Sequence, residues 1–258
     1  MLRPALACLA LLCASAPAHS QVANKDLPAY LAGVTERGRA LYAYDQAAWH
    51  GTDAFLDLHP SREGLARYVC VKTLKGWKVV FPKWDTLHAQ LLVAYEASDE
   101  QTPGHFTARR FDPPIEPIED LAGMERALEA AIADFGSSDR PYNTAILPAP
   151  GGDLYVYLYP GQTRDDVWPI GGDLRYTFSP DGKQILDKRQ LHKTILDMRF
   201  DPKLQIVAGT HSHILSDVPE DTDVLYVLTR KPSIPEYIAA GKRIFVVETD
   251  GSIRLEKK

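Results

Sequence analysis

Cysteine is nearly absent from this chain, with three in 258 residues. Cys8 and Cys13 fall in an apolar N-terminal stretch, so a chain without that stretch keeps Cys70 alone and forms no internal disulfide. Cys70 lies in the apolar run Tyr68-Val69-Cys70-Val71 and reads as a buried thiol rather than a nucleophile. There is no run of lysine or arginine, and 29 basic against 34 acidic residues give a formal net charge of −5. That balance excludes a nucleic-acid partner recognised through phosphate. No segment after the N-terminal stretch reaches the roughly 18 consecutive apolar residues of a spanning helix. A Gly-x-Ser-x-Gly elbow, a Gly-x-x-x-x-Gly-Lys phosphate loop and a Cys-x-x-Cys pair are all missing, which removes the chemistries that depend on them. Gly171-Gly172-Asp173 lacks the third glycine of a dinucleotide site and reads as a bend or bulge. No internal repeat or low-complexity tract is present.

What is there begins with a leader. Arg3 supplies a positive start, Ala5 to Ala14 an apolar run, and Ala18-His19-Ser20 a small-x-small cleavage site. This is the layout of a secretory signal peptide over residues 1–20. It predicts export to the bacterial periplasm or medium.

The rest predicts an α+β fold. Asp26 and Pro28 open a helical stripe of Tyr30, Leu31, Val34, Leu41, Ala48, Trp49 and Phe55, as one helix over 27–58 or two broken near Gly38 or Gly51. Residues 67–73, 77–82 and 90–96 follow as an antiparallel meander, completing an N-terminal domain over 21–112. The proline-rich, acidic segment 113–120 reads as a linker. A C-terminal domain over 121–258 begins with a helix whose stripe is Leu121, Met124, Leu128, Ala131, Ile132 and Phe135, closed by Gly136. Strands are expected at 143–147, 154–159, 174–178, 184–186, 203–209, 223–230, 244–248 and 252–255, giving a mixed sheet with one packed helix.

The candidate chemistry sits in Val-Ala-Gly-Thr-His-Ser-His-Ile-Leu-Ser-Asp-Val-Pro-Glu-Asp-Thr-Asp, residues 207–223. In extended chain, residues i and i+2 share a face, so His211 and His213 offer two imidazoles to one point. A zinc-type ion takes three protein ligands and an open position when catalytic. Asp223 supplies the third, with Asp221 as the alternative. The same residues also suit a polar loop in which His213 bonds a carbonyl and the aspartates cap the next segment. His192 reads as an exposed strand histidine, with a fourth ligand from a neighbouring strand as the alternative.

A strand ending in His-Ser-His, a loop, and then Pro219-x-x-x-Asp223 resembles the JAB/MPN (JAMM) metalloprotease family over residues 119–258. The resemblance implies that His211, His213 and Asp223 hold zinc. It also implies hydrolysis of an amide or isopeptide bond on a JAMM-like scaffold. The chain departs from the pattern at Ile214, where the family has proline, and at Glu220, where it has serine. The spacing from His213 to Asp223 is one residue short of the family's. The family's catalytic glutamate has no counterpart in residues 140–148, leaving Glu220 or Asp217 as substitute bases. The alternative function is a non-catalytic periplasmic module on the same scaffold, with a protein or cell-envelope component as partner.

Overall fold

Thirty residues, Leu27–Leu56, form one unbroken helix, α1. Pro28 is tolerated because the first-turn N–H groups have no intrahelical partner. Asp26 holds the N-cap position without a side-chain bond. Gly38 and Gly51 do not break the helix. They are places where other elements press against its backbone: a Cβ on Gly38 would overlap the side chain of Val224, and one on Gly51 that of Val79. The computed structural model describes residues 23, 26–117, 120–200 and 203–256. The expected signal peptide, residues 1–20, lies outside them.

The C-terminal half of α1 lies on an antiparallel sheet of β1 (Val69–Lys72), β2 (Trp77–Asp85), β3 (Gln90–Ser98) and β4 (Thr107–Ile115), in that spatial order. Phe55 stacks on Phe81 with ring centroids 3.9 Å apart, and Tyr95 meets Phe55 edge-on. The start of the expected linker is the end of β4. Pro113 and Pro114 fit there because an edge strand leaves one row of N–H positions unpaired.

Helix α2 (Leu121–Phe135) follows, capped by the Asp120 carboxylate on the Gly123 N–H at 3.1 Å and ended by Gly136 at φ 80°. It covers a second antiparallel sheet, ordered β5 (Tyr142–Pro148), β6 (Leu154–Pro160), β8 (Leu174–Phe178) and β9 (Ile185–Gln190). The short strands β7 (Val167–Ile170) and β10 (Leu196–Arg199) pair separately. The last sheet is ordered β11 (Gly209–His213), β12 (Glu236–Ala240), β13 (Arg243–Val247) and β14 (Ile253–Leu255). It is mixed, because β11 and β12 run parallel and helix α3 (Asp221–Thr229) makes the crossover between them.

The fold is α+β, as the sequence predicts, with two corrections. Of residues 223–230, expected as a strand, 223–229 belong to α3 and Arg230 is its C-cap. A capping box joins Glu220 and Asp223, each side chain accepting from the other's backbone N–H, and it fixes a helix start that outweighs the β-branched Val224 and Val227. Residues 203–208, also expected as strand, carry Leu204 and Val207 in solvent, and pairing begins only at Gly209. The histidines are therefore inside the strand, not beyond it. Strands β4, β7, β10 and β12 had no expectation. Among the described residues no helix is long and apolar enough to cross a membrane.

Two apolar clusters fill the interior, and α1 contributes to both. Leu41, Tyr44, Ala47 and Phe55 join the first two sheets and α2, across the expected 113–120 boundary. Leu27, Leu31 and Val34 join α3 and the last sheet. Cys70 is buried in the first cluster, which pushes its thiol pKa up.

Candidate metal centre

The alternation of β11 turns His211 and His213 to one face, toward the first turn of α3, where Asp223 stands. The segment after β9 brings His192 to the same point. The four ligand atoms, three imidazole nitrogens and a carboxylate oxygen, all lie within 4.8 Å of one another. Nε2 of His213 is 2.9 Å from Nε2 of His192 and 3.1 Å from Nε2 of His211. Asp223 Oδ1 is 3.1 Å from His211 Nε2 and 3.2 Å from His192 Nε2, and its Oδ2 is 3.3 Å from His213 Nε2.

Each ring is oriented from behind. His192 Nδ1 donates to Asp173 Oδ1 at 2.8 Å, and His211 Nδ1 to Glu236 Oε1 at 2.8 Å. His213 Nδ1 donates to the Val218 carbonyl at 2.9 Å. A carbonyl or carboxylate can only accept, so the Nδ1 protons are fixed and a neutral ring must present a bare lone pair at Nε2. Three such lone pairs and a carboxylate facing one another could hold a metal ion. This outer support is the usual setting of a metal-ligating histidine.

Local sequence explains the outer groups. The register of β11 on β12 sets Gly209 against Glu236, and a side chain at 209 would overlap that carboxylate. Buried Arg230 pairs with the other Glu236 oxygen. The Gly171-Gly172 bend, at φ 85° and 68°, delivers Asp173 to His192, and a Cβ on Gly171 would overlap the Thr194 carbonyl.

The side chains of His192, His211, His213 and Asp223 are 8%, 5%, 1% and 0% exposed, so bulk water is largely kept from the centre. Burial works against charged imidazole, but Asp173 and Asp223 outweigh it and hold His192 well above its ordinary value. Burial likewise opposes charge on His211, and Asp223 and Glu236 lift it to about 9. Burial would raise Asp223; the surrounding histidines instead hold it well below the carboxylate range. These directions describe an anionic nest that takes up positive charge, a proton or a metal ion.

His211, His213 and Asp223 thus come together as the sequence predicts. His192 does too, buried rather than exposed, which realises its alternative reading as a fourth ligand in place of an exposed strand residue. The polar-loop reading is also realised in part, because His213 bonds a carbonyl and Asp223 caps α3. Asp223 serves both ends, since its Oδ2 also accepts the Glu220 N–H at 2.7 Å.

Asp221 is placed elsewhere: its oxygens take Arg37 at 2.9 Å, Arg175 at 2.6 Å and the Tyr157 hydroxyl at 2.8 Å. Glu220 pairs with Arg189 and caps α3, and burial pushes its carboxyl up to about 7. Asp217 lies in the turn beside Gly241, its carbonyl accepting from Arg243 at 3.2 Å. The outer acceptors Asp173 and Glu236 had no expectation. Asp173 follows a glycine pair whose sequence indicates only a bend, and Glu236 lies on β12, which no local pattern marks.

No family model matches this chain, and no curated protein or solved structure matches it. The centre's meaning rests on its own geometry.

Proposed function

We propose that His192, His211, His213 and Asp223 bind one divalent cation of the zinc type, and that the protein is an exported metalloprotein. One observation carries the reading: three imidazole Nε2 atoms, each with its Nδ1 tied to an outer acceptor, converge with a carboxylate on one point. Imidazole-rich sets with one carboxylate suit zinc and its neighbours rather than magnesium or calcium.

Four protein ligands complete a tetrahedral shell, and a closed shell is the mark of a structural rather than a catalytic zinc site. The buried rings and the engagement of Glu220 by Arg189 support the same reading. We therefore favour a non-catalytic envelope module, stabilised by its metal and binding a protein or cell-envelope component. The hydrolase reading is favoured by the JAMM-like run from His211 to Asp223. It requires His192 to yield its place to water, which a bound metal would acidify.

Metal content and hydrolysis of amide and isopeptide model substrates, measured together, test both. The wild type is expected to hold one equivalent of zinc and leave the substrates intact. His211→Ala and Asp223→Ala are expected to lose the metal. Absence of stoichiometric metal after zinc is supplied overturns the reading; hydrolysis by wild type that disappears in Asp223→Ala replaces the module with the hydrolase. Asp173→Asn, which removes the carboxylate behind His192, is expected to weaken zinc by about 10–100-fold.

A further inference from the structure

A cleft of ≈ 420 Å³ opens between α1, α3 and the β6–β7 region. Its wall includes Asp45, Trp49, Tyr159, Trp168, Asp173 and Thr222. Among the described residues no lysine, arginine or histidine lines it, whereas three aspartates do, Asp45, Asp53 and Asp173.

Two polar groups on this wall lack a full complement of protein partners. Asp45 is held by neutral donors, the Tyr159 hydroxyl at 2.8 Å and the Gln46 amide at 3.4 Å. Burial raises its carboxyl pKa, which its two neutral bonds offset only in part. A carboxylate removed from water without a cationic partner is costly, and a cation entering the cleft relieves that cost. Thr222 is 5% exposed, and its Oγ1 has no hydrogen-bond partner. Such a group calls for a partner that the protein does not supply. Trp49 leaves 59% of its surface in solvent at the same cleft, stacked on His50 at 4.9 Å. Trp168, half-buried, also lines the cleft, so two indoles contribute to its wall.

We propose that this cleft binds an organic cation, an ammonium or guanidinium group on a short apolar stem. Asp45 supplies the counter-charge, and the Trp49 and Trp168 indoles supply the cation–π and apolar walls. The charge and the indoles of this cleft belong to α1 and β7, while Asp173, which also supports His192, and Thr222, next to Asp223, are shared between its wall and the surroundings of the metal centre.

Ligand-observed NMR titration of the full chain tests it with n-butylammonium, methylguanidinium, N-acetyl-lysine methylamide and the neutral n-pentanol. Saturable binding of a cation, with n-pentanol clearly weaker, is expected. Binding of the lysine amide as well points to a basic side chain of a peptide, and its exclusion to a free amine; both outcomes support the proposal. Asp45→Asn should weaken the cation by about 10–100-fold, the loss of one charge-assisted bond. Trp49→Ala should weaken it by about 2–5-fold. Trp49 is on the surface, so that variant carries the test if Asp45→Asn fails to fold by circular dichroism. No saturation by either simple cation at millimolar concentration overturns the proposal. So does equal binding of n-pentanol, or cation binding unchanged in every folded variant.

Discussion

Asp223 does two jobs with one carboxylate. Its Oδ2 accepts the Glu220 N–H and closes the α3 cap, while its Oδ1 faces His192 and His211. Asparagine keeps an acceptor for the cap but loses the anionic ligand, whereas alanine loses both. Asp223→Asn is therefore expected to keep the helix content of the wild type and lose the metal. Asp223→Ala should lose the metal and a further ~1 kcal/mol of stability from the missing cap. Zinc analysis with chemical denaturation of the two zinc-free variants checks the split, and equal stability would detach the cap from Asp223. The period-2 spacing made His211 and His213 legible in the sequence, and the proximity of an aspartate made Asp223 so. His192 was legible only as an alternative fourth ligand, and Asp173 and Glu236 were not legible, because their convergence depends on pairing between segments far apart in the chain: β9 on β8, and β11 on β12. No local period records that.

At the scale of elements, the crossing of α1 and α3 positions the first turn that bears Asp223. Gly38 is the contact point: a Cβ there would overlap Val224 and the Asp221 carbonyl. The Arg37 guanidinium, one residue earlier, reaches Asp221 at 2.9 Å. Gly38→Ala improves intrinsic helix propensity by up to ~1 kcal/mol, yet overpacking at a tight crossing costs typically 1–3 kcal/mol. Backbone cannot swing aside as the tip of a long side chain can, so the second effect should win. The variant is expected to be less stable by about 1–2 kcal/mol, with weaker zinc binding because α3 must shift. Denaturant melts and a zinc competition titration measure the two effects; a more stable variant would mean the helices separate freely. The same position shows what a sequence conceals. Glycine in a helical stripe reads as a break when only local propensity is considered, and here tertiary contact keeps it in mid-helix. The helices α1 and α2 were legible because their apolar stripes are long. The short α3 was not, since Val224 to Val227 are buried all round and show no helical period.

For the molecule as a whole, the centre ties together parts of the chain that are otherwise joined by long connections. Its ligands come from the segment after β9, from β11 and from α3, and its outer support from the bend before β8 and from β12. In the unfolded chain these groups are dispersed, so the assembled site exists only in the native state and metal binding free energy adds to folding free energy. Without metal, the same groups leave imidazoles and carboxylates buried against one another, and protons are the only charges left to balance them. Asp221 provides a comparison that no metal touches: it joins α1, β6, β8 and α3 through Arg37, Tyr157 and Arg175, and its contribution should be indifferent to chelation. With free zinc at about a thousand times its dissociation constant, the holo form is expected to gain ~4 kcal/mol over the apo form. For a chain of this length that corresponds to a fall in Tm on the order of 10 °C when a chelator is added. The drop should reverse on adding zinc and should be absent in Asp223→Asn, which has no metal to lose. An equal fall in that variant would assign the effect to the chelator, and no fall in the wild type would mean that the four side chains are held together without a metal.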